Sequence, residues 1–126
     1  MKPCDGLEVI DKEDMTNGDA RVVLCDAAQV APDMPLRCER DGMAYAVFVL
    51  GDRYYVISDT CTHGPGSLSE GYVEGCEVEC PFHQGRFDIR TGAVRSAPCS
   101  IPVRTWTAYL VNGHIEIDPD EVRPNA

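Results

Sequence analysis

Two short stretches, Cys61-Thr62-His63 and Cys80-Pro81-Phe82-His83, gather two thiols and two imidazoles in a chain that has only three histidines. Written as a pattern they read C-x-H, sixteen intervening residues, then C-x-x-H. Taken singly, a cysteine is often a small buried hydrophobe and a histidine an ordinary loop residue. Four such residues in two tight pairs complete the inner ligand shell of a metal centre. Zinc accepts two Cys and two His, but zinc modules usually pair like with like, as C-x-x-C and H-x₃₋₅-H. Here each loop supplies one of each. That suits a [2Fe–2S] core, in which two thiolates hold one iron and two imidazoles the other. A redox-silent Cys₂His₂ zinc module is the alternative of a different class.

The elements that must position these ligands are β-strands. Arg21–Cys25 is a strand by composition, and Ala44–Leu50 and Arg53–Ser58 flank Gly51-Asp52 as a hairpin. A second hairpin runs through Val103–Val111, turns at Asn112-Gly113 and returns as His114–Asp118. A two-residue turn there sets Leu110 opposite Ile115 and Ala108 opposite Ile117, and Trp106 continues that apolar side. His114 pairs with Val111 on the other side, facing solvent. Between the hairpins, from about Thr60 to Pro98, glycine and proline crowd in and only Glu77–Glu79 and Arg86–Ile89 remain strand-like. No long amphipathic helix or repeat is present. The expected fold is all-β, a single domain over residues 1–126. It is an antiparallel β-sandwich or barrel base with a loop-rich, cluster-binding insertion at about 60–98. Residues 1–18 are polar and read as a loosely ordered extension.

Composition narrows the function classes. Asp and Glu number 21 against 11 Lys and Arg, a formal net charge of −10. Nucleic-acid binding needs the opposite sign. An acidic surface favours solubility and steering towards a basic partner. The longest apolar run, Ala44–Leu50, is far too short to span a bilayer, and Met-Lys-Pro-Cys-Asp-Gly has no signal-peptide character. The expected location is the cytoplasm, away from membranes. Seven cysteines (Cys4, Cys25, Cys38, Cys61, Cys76, Cys80 and Cys99) form an odd set with no secretory context, which favours metal binding over a disulfide framework. Outside the four-ligand set, Cys25 and Cys38 read as apolar packing in strands and Cys76 and Cys99 as bystanders.

The stretch CTHGPGSLSEGYVEGCEVECPFHQGRFDIRTGAV resembles the Rieske ferredoxins that serve bacterial aromatic-ring-hydroxylating dioxygenases, and the strand–loop–strand layout extends the resemblance over about Arg21–Asp118. It implies that Cys61 and Cys80 bind one iron and His63 and His83 the other, and that Ala97-Pro98 lies in a proline loop closing over the cluster. It implies a flavin reductase as electron donor and a terminal oxygenase as acceptor. High-potential respiratory members carry a serine two residues after the last His and a tyrosine four after. Those positions here are Gly85 and Phe87, neither with a hydroxyl, so the potential is expected near the low end of the roughly −150 to +300 mV Rieske window. The respiratory disulfide between the two loops would fall on Gly66 and Phe82 and cannot form.

An oxygenase subunit would also need a second iron site of two His and a carboxylate. Only His114 is left over, so the expectation is a carrier, not a catalyst, working as a monomer. The small Rieske-like subunit of a nitrite reductase and the ferredoxin of a diiron monooxygenase are alternatives within the carrier class.

Overall fold

A computed structural model describes residues 21–32, 34–60, 66–81, 85–96 and 101–123; the N-terminal extension falls outside them. Among the described residues twelve strands follow one another: β1 (Val22–Asp26), β2 (Leu36–Arg40), β3 (Met43–Leu50), β4 (Arg53–Ser58), β5 (Tyr72–Glu74), β6 (Glu77–Glu79), β7 (Arg86–Asp88), β8 (Val94–Ser96), β9 (Thr105–Trp106), β10 (Tyr109–Val111), β11 (His114–Ile117) and β12 (Val122–Arg123). The helical elements among the described residues are two 3₁₀ turns, Ala27–Gln29 and Leu68–Glu70. The fold is all-β, as its alternating and β-branched segments require.

The strands form three antiparallel sheets, ordered β1-β11-β10, β12-β9-β4-β3-β2 and β5-β6-β7-β8. Turn chemistry sets the register. Asn112 and Gly113 both take positive φ, 49° and 83°, the type I′ geometry that matches strand twist. Leu110 therefore faces Ile115 and Val111 faces His114, as the sequence predicts. Asp41 and Gly42, φ 53° and 80°, make the equivalent turn between β2 and β3.

Strand β3 explains its own composition. An unbroken apolar run fits a strand buried on both faces, and Tyr45, Val47 and Val49 enter one core while Ala46 and Phe48 enter another. β4 divides in the same way, Val56 to the first core and Ile57 to the second. The first core lies against the three-stranded sheet and holds Leu24, Cys25, Cys38, Trp106, Ile115 and Ile117. The second joins the five-stranded sheet to Leu68, Val78, Cys80, Phe87, Ile89 and Val103.

Two expectations are corrected. Val103–Val111 is not one strand: β9 pairs with β4 and β12, while β10 pairs with β11 in a different sheet. Trp106 drives the break. Its ring is buried edge-on to Tyr45, with centroids 4.8 Å apart, and its indole N–H donates to the Pro119 carbonyl at 3.1 Å. Satisfying that buried donor ties Trp106 to the five-stranded sheet. The proposed continuous apolar face also fails at Leu110, which is 58% exposed because β10 is an open sheet edge. Cys25 and Cys38 do pack as small apolar groups in the core.

Candidate metal centre

Each ligand loop grows from a closed base. The second loop leaves β6 at Cys80 and re-enters β7 after Gly85, and the Cys80 N–H donates to the Gly85 carbonyl at 2.8 Å. Cys80 is fully buried beside Val78 and Phe87. Its place is thereby fixed by the core and by the β6–β7 pairing of Glu79 with Arg86.

The first loop leaves β4 through Asp59 and Thr60. Thr60 bridges back to Ser67. Asp59 is the knot. Its N–H donates to the Ala44 carbonyl at 3.1 Å, and its own carbonyl accepts from the Leu68 N–H at 2.7 Å. Its carboxylate accepts from Ser67 Oγ at 2.5 Å, the Ser69 N–H at 2.7 Å and Arg37 Nε at 3.1 Å. Leu68, at the loop's exit, packs in the same core as Cys80. The structure thus brings the roots of both loops together on one core. Cys61, His63 and His83 themselves, with Ala97-Pro98, lie outside the described residues.

The glycine at position 71 holds the two loops close. A Cβ there would stand 2.3 Å from the Glu79 carbonyl oxygen and 3.1 Å from that of Leu68. No larger residue lets the exit of the first loop lie against the strand that delivers Cys80.

Around this base the charges are paired. Arg86 spans Glu74, Glu77 and Glu79 at 2.9, 3.4 and 3.0 Å. Asp88 is buried and contacts Arg90 and Arg95 at 3.1 and 2.7 Å. Burial pushes its carboxyl up, but the hydrogen bonds from Arg90 and Arg95 outweigh that and hold it below the ordinary carboxylate value. Gly71 and Asp88 fall within the stretch that carries the resemblance, but the sequence assigns no role to them or to Asp59. The sequence also reads Cys76 as a bystander. Cys76 is disulfide-bonded.

The donor set suits an iron–sulfur cluster. Two thiols and two imidazoles arise from loops rooted in one core, and the thiol that the structure describes sits where water is excluded. Comparison with known proteins agrees. Residues 20–107 match the Rieske [2Fe–2S] domain. The anthranilate 1,2-dioxygenase ferredoxin subunit of Burkholderia cepacia is 46% identical over 92 residues, covering 73% of this chain and 77% of that one. The ferredoxin component of the p-cumate 2,3-dioxygenase system of Pseudomonas putida is 39% identical over 114 residues, covering 89% and 92%. Among solved structures, the Sphingomonas yanoikuyae B1 ferredoxin superposes with a TM-score of 0.76 at 38% identity, covering 78% of this chain and 97% of that one. A putative nitrite reductase small subunit shares the fold alone, at 19% identity and a TM-score of 0.66. Since the matched span runs through both ligand loops and the strands that root them, this chain belongs to the Rieske [2Fe–2S] domain family, and its cofactor is one Rieske-type cluster.

Proposed function

We propose that this chain is the ferredoxin of a multicomponent aromatic-ring-hydroxylating dioxygenase, taking single electrons from a flavin-dependent reductase and passing them to the terminal oxygenase. Cys61, His63, Cys80 and His83 hold the cluster, the thiolates on one iron and the imidazoles on the other. The observation that carries the reading is coverage. The chain spans 92% of the p-cumate system ferredoxin and 97% of the Sphingomonas ferredoxin, but only 33% of the Pseudomonas putida NdmA chain, to which it is 27% identical. The carbazole 1,9a-dioxygenase ferredoxin, crystallised in complex with its oxygenase, is 36% identical with a TM-score of 0.76, which favours an oxygenase as the acceptor.

When bound, the cluster supplies a one-electron couple. The chain's own residues hold it rigidly and insulate one side. Leu68, Val78 and Phe87 form the dry floor on which Cys80 rests. Phe87 is fully buried and has no hydroxyl, and Gly85 has no side chain, so neither adds a hydrogen bond that would stabilise the reduced state. This supports a potential near the low end of the Rieske window. No helix among the described residues is long and apolar enough to cross a membrane; the chain is proposed to act as a cytoplasmic monomer. Its acidic balance steers it towards basic docking surfaces, with rates that fall as salt rises.

The deciding experiment is iron and labile-sulfide analysis of the purified protein, with low-temperature EPR after dithionite reduction. Two irons, two sulfides and the low average g-value of a mixed His/Cys cluster are expected. Electron delivery is then read as ferredoxin-dependent oxidation of NADH by a dioxygenase reductase and turnover by its oxygenase. A colourless protein holding one zinc would sink the proposal.

A further inference from the structure

Asp59 does more than a turn residue needs to. It is 2% exposed, and its carboxylate meets Ser67 Oγ, the Ser69 N–H and Arg37 Nε, three donors from three directions. Two of these tie down the exit of the first loop; the third reaches across to β2. A buried carboxylate is costly unless every lone pair is used, and a neutral side chain could close such a loop. The charge is therefore a feature to be explained. Its cationic partner among the described residues, Arg37, has a half-exposed side chain and is shared with Glu39 at 2.6 Å. Solvent screens Arg37 more than it screens Asp59, so a negative charge is left under-compensated two residues before Cys61.

On the reading that Cys61 and His63 are ligands, we infer that Asp59 is a positioning residue with two roles. Its hydrogen bonds from Ser67 Oγ and the Ser69 N–H fix the exit of the first loop to the end of β4, and its charge lowers the midpoint potential of the cluster, with Arg37 pulling the other way. The sign follows from charge alone. An added electron makes the site more negative, a fixed negative charge beside it disfavours that step, and a fixed positive charge favours it.

The test uses the full-length holoprotein and three variants, each followed by EPR-monitored redox titration and by the rate of cluster loss to a chelator. Asp59→Asn keeps the size and loses the charge, and raises the potential. Arg37→Met keeps the apolar stem and loses the opposing charge, and lowers it. Ser67→Ala removes one loop-closing bond without a change of charge, and speeds cluster loss roughly fivefold. Opposite shifts in Asp59→Asn and Arg37→Met support the electrostatic role, because a purely structural defect has no reason to change sign between them. Shifts of the same sign, or none, overturn it, and an unchanged loss rate in Ser67→Ala overturns the positioning role. Should Asp59→Asn not accumulate folded, Arg37→Met decides the electrostatic role alone, since its half-exposed side chain tolerates replacement. Wild-type protein without a Rieske EPR signal would overturn the proposed function itself. A normal wild-type signal with unshifted variants overturns only the inference.

Discussion

Replacing Gly71 by alanine places a methyl group where two backbone segments already touch. The new Cβ would lie 2.3 Å from the Glu79 carbonyl oxygen, 3.1 Å from the Leu68 carbonyl oxygen and 3.1 Å from Val78 Cγ2. Only the last of these belongs to a side chain that could turn aside. The backbone angle is not the problem, since φ at Gly71 is −82° and alanine adopts it freely. Relief requires β6 to retreat from the Leu68–Glu70 turn by roughly 1 Å, and overpacking of that kind costs about 1–3 kcal/mol. For a domain of this size each kcal/mol lowers Tm by about 3–5 °C, so the midpoint should fall by roughly 3–15 °C. The residue after Glu79 is Cys80, so the strand that moves is the one delivering a proposed cluster thiolate. Thermal unfolding of the holoprotein should be followed by far-UV circular dichroism and by cluster absorbance together. The expected result is an early loss of colour and a changed EPR lineshape before heating. Gly75→Ala, at the far end of β6, is the control. Its Cβ meets nothing within 4 Å, but φ is 62°, so it costs about 1–2 kcal/mol in backbone strain and leaves the EPR untouched. A Gly71→Ala protein with wild-type Tm and lineshape would refute the close-approach argument.

Three further outcomes are expected. Cys80→Ser should abolish the Rieske EPR signal while far-UV dichroism stays β-rich, because the residue is a proposed ligand as well as part of the core; an unchanged signal would remove Cys80 from the proposed ligand set. Asp88→Asn should cost about 1–3 kcal/mol at neutral pH and flatten the acid limb of stability. The folded-state carboxyl lies below its ordinary value, so its contribution is complete above that value and is lost as pH falls through the lower one; a variant whose urea midpoint falls as steeply as wild type below pH 5 would contradict this. Cys25 and Cys38 are buried in contact, Cys38 lowered by the hydrogen bond from Cys25 and Cys25 pushed up by the same contact. Both should resist an aromatic disulfide reagent in the native protein and react only in urea, with fast labelling of either in native buffer as the contrary result.

The family motif and the strands were legible because their signals are local. Cysteine and histidine spacing, the Asn112-Gly113 turn and the double-sided apolar run of β3 each follow from a few adjacent residues. What sequence reading missed depends on contacts between distant segments. Gly71 matters only because Glu79 folds back against it. Asp59 looks like any loop aspartate until Ser67, Ser69 and Arg37 converge on it. The break between Trp106 and Tyr109 was invisible because Val103–Val111 alternates well enough for one strand, and only the buried indole contact with Pro119 separates the two sheets. Asp41-Gly42 was a readable turn signal that was passed over.

The double-sided strand β3 has a consequence for how the molecule breathes. Because Tyr45, Val47 and Val49 serve one core while Ala46 and Phe48 serve the other, neither half can melt while the other stays whole; the shared strand makes them one cooperative unit. Amide hydrogens from Ala46 to Val49 should exchange with deuterium only through global unfolding. Cys80, a proposed ligand, packs in the second of those cores beside Ala46 and Phe48, so a cluster held there would share that stiffness, and a stiff lodging lets an electron come and go with little rearrangement of the atoms around it.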